Sequence, residues 1–121
     1  MDTGRISSAA LMLSGLAGVA MPGRVAAALD LVPGSGRGIT ETRAGLGATY
    51  AGLGAFALVR GSADAHRAVG FTWLGAGASR LASYGADRPR TDAIYWLSLG
   101  MELGLGAAAL AAARRSVRPR A

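Results

Sequence analysis

Between Arg43 and Arg60 the chain runs through Ala44–Val59 without a single charge. A helix over that interval is apolar or small on every face, apart from Thr49 and Tyr50. Such a helix belongs either at the centre of a large protein or in lipid. The chain has 121 residues, enough for one domain and too few to wrap a central helix on all sides. The interval therefore predicts a membrane span.

The same pattern recurs along the chain. Ile6–Met21 carries no charge and ends at Pro22-Gly23, and Val25–Val32, with Asp30 inside it, either continues past a proline kink or lies at an interface. Pro33–Gly38 reads as a loop. Ala68–Ser83 is apolar except for Arg80 near its end, Tyr84–Asp92 is a second loop, and Ala93–Ala113 has Glu102 as its sole charge. The expectation is an all-α, single-domain integral membrane bundle over residues 1–121. Its four transmembrane helices fall at about residues 6–22, 43–60, 67–84 and 93–113.

Two other readings compete with it. A signal peptide would also begin with one arginine and an apolar core, but it would be shorter than Ile6–Met21. A soluble four-helix bundle needs a charged, water-facing stripe on every helix, and the first two segments have none. Arginine counts then set a topology. Arg5, Arg60, Arg67, Arg114, Arg115, Arg118 and Arg120 share one side, against Arg24, Arg37, Arg88 and Arg90 on the other. The positive-inside rule puts both termini in the cytoplasm of a bacterial cell with the bundle in its inner membrane.

Composition removes several chemistries. There is no cysteine and one histidine, so neither thiol chemistry nor a metal site is expected. The net charge of +6 comes from arginines scattered between apolar segments, a pattern of membrane surfaces rather than of nucleic-acid binding.

Glu102 stands near the middle of its segment, where a carboxylate is costly unless paired, protonated or hydrated. Arg80 is its natural partner, and the alternative for Arg80 is to extend toward lipid head groups. Arg43 enters the second segment from the same side, its helical face continuing through Tyr50, with Glu41 close by. Glu41, Arg43, Tyr50, Arg80 and Glu102 thus form a candidate polar pocket, suited to a lipid or quinone carrying an anion or carbonyl. The bland reading is a charge cluster that anchors helix ends. Gly45 and Gly52, and Gly100 and Gly104 in a GxxxG, are expected to serve helix packing within or between chains. His66, in a turn, is expected to be solvated, and Trp73 and Trp96 to lie in interfacial belts.

Three stretches resemble a family of small bacterial four-helix membrane proteins of unknown function, DoxX-like in general plan. They are Glu41–Tyr50 at the entry to the second segment, Gly77–Ser83 around Arg80, and Gly100–Leu103 around Glu102. The resemblance implies a multi-pass membrane protein that keeps these polar positions inside; it implies no reaction or cofactor. The expected function is non-enzymatic. Helix association would make a homo-oligomer or an accessory subunit of a membrane complex, with membrane lipid as neighbour. The alternatives are a lipid- or quinone-binding protein or redox accessory and, more weakly, a small transporter.

Overall fold

The computed structural model describes residues 2–117, and all of its regular structure is helical. Helix α1 (Thr3–Ala20) starts at Asp2, whose carboxylate accepts a hydrogen bond from the Arg5 amide at 2.9 Å. Pro22 ends α1 and opens α2 (Pro22–Ala28), since a proline at the first helical position loses only an amide that has no partner anyway. The chain turns by 113° between the two. After a loop, Ser35 caps α3 (Gly36–Thr42), which passes through a π-helical segment, Arg43–Ala48, into α4 (Thr49–Arg60). Gly61, with φ of 58°, closes α4 in the left-handed conformation that glycine adopts without strain. Ser62 then caps α5 (Ala63–Asp87), and Asp92 caps α6 (Ala93–Val117) through the Tyr95 amide.

Helices α5 and α6 make the most extensive contact, as an antiparallel hairpin, and α1 lies against α4, the π-helical segment and α6. The α1–α4 seam depends on glycine. A Cβ on Gly15 would stand 2.1 Å from the Ala51 amide nitrogen, and one on Gly54 2.4 Å from that of Met12. Only a missing side chain allows backbones this close. The core is small: Leu11, Ala57, Ala65, Val69, Trp73 and Ala109.

The four-span membrane bundle does not survive this structure. Among the described residues one helix, α6, is long and apolar enough to cross a membrane; a second qualifies only if α1 and α2, bent by 113°, count as one. The cytoplasmic placement of both termini falls with the four spans. Arg118 and Arg120, two of the arginines behind it, lie outside the described residues. The physical reason is continuity rather than composition: the charge-free run Ala44–Val59 is divided between the π-helical segment and α4, and α4 itself has 12 residues, fewer than the roughly 17 that cross hydrocarbon. Helix α5 is 25 residues long but holds Asp64, His66, Arg67, Arg80 and Asp87.

Candidate functional site

Glu102 falls on the buried stripe of α6 with Leu99, Gly106 and Ala109. From α5, Arg80 reaches it bidentately: Nε donates to Oε2 at 3.0 Å and Nη2 to Oε1 at 2.8 Å. The Glu102 side chain is 9% exposed and that of Arg80 24%, so the pair is largely shielded from water. Two parallel charge-assisted hydrogen bonds fix both position and orientation.

Tyr95, one turn into α6, holds Arg80 from the other side. Its hydroxyl donates to the Arg80 carbonyl at 2.9 Å, and the guanidinium carbon lies 5.3 Å from its ring centroid, within cation–π range. Tyr84 and Trp96 pack edge-on against each other and extend the aromatic cluster, with ring centroids 5.3 Å apart.

Beside the ion pair is a cavity of about 170 Å³, lined by residues of α1, α4, α5 and α6. Ser14, Tyr50, Thr72, Ser98, Arg80 and Glu102 supply its polar groups, and Trp73 forms one wall. The indole Nε1 of Trp73 is already engaged, donating to the Ser7 carbonyl at 3.4 Å. The cavity thus combines apolar walls with a charge pair and four hydroxyl-bearing residues, the composition of a site for a ligand with one polar end.

Of the candidate pocket residues, the structure brings Tyr50, Arg80 and Glu102 together. Glu41 is exposed and pairs with Arg37 at 3.6 Å. Arg43 is exposed and donates to the Val19 carbonyl, tying the π-helical segment to α1. Gly45, Gly52, Gly100 and Gly104 face open space, where a Cβ would meet nothing within 4 Å. The close approaches inside the chain occur at other glycines, such as Gly15 and Gly54.

Two further residues differ from expectation. His66 is 3% exposed rather than solvated, because α5 starts ahead of it and places it on one face with Val69, Gly70 and Trp73. Trp73 is core at 8% exposure, not an interfacial aromatic. Helical spacing from Val69 and Gly77 was the signal that pointed to both. Ser14 and Ser98 have no such signal, since a lone serine in an apolar helix has many bland uses. Among the described residues no three His, Cys, Asp or Glu side chains converge as a metal site.

Fold and site together define an all-α protein with a shielded Arg–Glu pair facing a small, partly open cavity. No family model, no curated protein and no solved structure matches the chain. The DoxX-like resemblance therefore rests on its three short motifs.

Proposed function

We propose that this is a non-enzymatic binding protein whose cavity takes the apolar or ring portion of a small amphiphile of the lipid or quinone class. The observation that carries this reading is the cavity itself, set against Arg80, Glu102 and Tyr50. A purely structural ion pair would be expected in solid packing, whereas this one adjoins empty volume. A carbonyl entering there would meet hydroxyl and guanidinium donors, and its hydrocarbon would meet Leu11, Trp73 and Met101. The setting we propose is the bacterial cell membrane, where α6 supplies the apolar contact and such ligands are abundant.

Native mass spectrometry of gently extracted protein tests this. The wild type is expected to retain a ligand of defined mass. Ala76→Leu, which fills the cavity with three extra carbons, is expected to lose it while keeping its helical circular dichroism. Wild-type protein free of any bound amphiphile, or an Ala76→Leu variant that retains one equally well, defeats the reading.

One observation favours a second role, helix association. Gly100 and Gly104 face outward on α6 beside the exposed Trp96, Leu97 and Met101, leaving a smooth apolar strip that no described residue covers. The same spectra report it through subunit number.

A further inference from the structure

The 170 Å³ cavity is smaller than the few hundred cubic ångströms that a drug-sized ligand fills, so much of any amphiphile bound there lies outside it. Next to it is an open cleft of about 630 Å³. Arg80 and Leu29 line both, and so form the partition between cavity and cleft. One wall of the cleft is the end of α2 and the turn after it, Ala27–Asp30; the other is the α5–α6 loop, Pro89–Asp92, with Tyr95.

The cleft carries both signs of charge. Asp30 stands on the first wall and Arg90 and Asp92 on the second, with Arg80 at the back. Among the described residues the ion pairs are Arg37–Glu41, Arg67–Asp64 and Arg80–Glu102, so the charges of the cleft without ionic partners are two carboxylates, Asp30 and Asp92, and one guanidinium, Arg90. A purely anionic head group would be opposed by the two carboxylates, and a purely cationic one by Arg90. A zwitterion meets both signs favourably.

Among the described residues, two that are not glycine have positive φ: Asp30 at 56°, just past the end of α2, and Arg88 at 49°, which ends α5 immediately before the second wall. Left-handed backbone is common where helices end.

We propose that the cleft is a head-group site for a zwitterionic amphiphile, its phosphate on Arg90 and Arg80 and its ammonium on Asp30 and Asp92. Its apolar part passes Leu29 into the cavity. This rests on the amphiphile-binding reading above and narrows it to a head group carrying a primary ammonium and a phosphate. Arg80 holds Glu102 with Nε and Nη2, which leaves Nη1 as the guanidinium nitrogen available to the phosphate.

The test is a titration of the full chain in detergent, read by tryptophan fluorescence, since Trp73 lines the cavity. Four probes are used: dihexanoyl-phosphatidylethanolamine, dihexanoyl-phosphatidylglycerol, glycerophosphoethanolamine and a short-chain quinone. The ethanolamine lipid is expected to bind at least tenfold more tightly than the glycerol lipid or the tail-less head group. Asn tolerates left-handed backbone, so Asp30→Asn keeps the turn and removes the charge. It is expected to weaken the ethanolamine lipid about tenfold, the weight of one charge-assisted hydrogen bond, and the glycerol lipid less than twofold. Arg90→Gln is expected to weaken both lipids.

Equal binding of the two lipids, or equal loss of both in Asp30→Asn, overturns the zwitterion site and leaves the cavity reading standing. Quinone binding without lipid binding does the same. A head group that binds as tightly without tails as with them overturns the continuity of cleft and cavity. If no probe binds, the cavity reading falls as well.

Discussion

Near the α5–α6 loop, Arg80 and Glu102 meet bidentately beside an empty volume, whereas at the opposite end of the hairpin Ser7, Ser8 and His66 are packed against backbone. Both ends bury polar groups between α1, α5 and α6. At the His66 end these polar groups lock helices together. Ser7 Oγ donates to the Leu105 carbonyl at 2.8 Å and Trp73 Nε1 to the Ser7 carbonyl, while Ser8 Oγ is satisfied within α1 by the Gly4 carbonyl at 2.8 Å. Gly4 lies so close to the imidazole that a Cβ would stand 2.9 Å from it. Nδ1 of His66 is buried without a partner among the described residues, the cost of that tight fit. At the Arg80 end the side chains satisfy each other and leave space. One end is built to hold and the other to accommodate.

The largest expected effect comes from splitting the ion pair. Glu102→Leu strands the Arg80 guanidinium in a mostly enclosed site, a loss of about 2–3 kcal/mol in unfolding free energy. The figure lies below the usual cost of breaking a fully buried pair because Arg80, 24% exposed, can turn toward water. The double variant Arg80→Met/Glu102→Leu removes both charges and is expected to return to within about 1 kcal/mol of the wild type while losing the ligand. Denaturant unfolding followed by circular dichroism checks both. A double variant as unstable as the single one would mean that the pair holds the fold, erasing the contrast between the two ends.

Next in size is Gly4→Ala, which forces a methyl group against His66 and Ala112 at 2.9 Å, an overpacking cost of about 1–2 kcal/mol. Combined with His66→Ala the clash has somewhere to go, and the two effects are expected to be non-additive by at least about 0.5 kcal/mol. Strict additivity would show that this end is looser than it looks. The tightness here was only partly legible in the sequence. His66, Val69, Trp73 and Gly77 share a buried face of α5, yet His66 reads as a turn residue because the helix start at Ser62 sits behind an unremarkable Gly61-Ser62 pair. Arg80 and Glu102 were legible because charges are rare in their segments, and helical spacing leaves them few partners but each other.

Other features were hidden for identifiable reasons. A charge-free run of alanine and glycine looks like a membrane span until its π-helical interruption and the 12 residues of α4 are counted. Which glycines touch a neighbour depends on helix rotation: Gly15 and Gly54 meet backbone, while Gly100 and Gly104 with the same kind of spacing face outward. Arg43 was placed on the right face of its segment for a straight α-helix, but the π-helical turn that begins at Arg43 redirects it to the Val19 carbonyl. The cleft joins residues far apart in sequence, Asp30 and Arg90, and no local pattern announces it.

The smallest expected effect probes the packed end through pH. The Asp2 carboxyl is held below the usual carboxylate range, chiefly by the hydrogen bond from the Arg5 amide and also by the charge of nearby His66. A carboxyl whose folded value is depressed binds its proton less readily folded than unfolded. Its contribution is therefore complete above the unfolded value and disappears as pH falls through the folded one. Asp2 is exposed, so the contribution is that of a screened helix cap, and stability is expected to fall by about 0.5–1 kcal/mol between roughly pH 5 and pH 2. Asp2→Asn retains the capping oxygen without the titration and should lack this component of the acid loss while matching the wild type within about 0.5 kcal/mol at pH 7. Were Asp2→Asn to lose as much on acidification as the wild type, the acid sensitivity would belong to another group. The capping of α1 would then contribute nothing measurable to the end of the molecule that depends on it for the placement of Gly4 against His66.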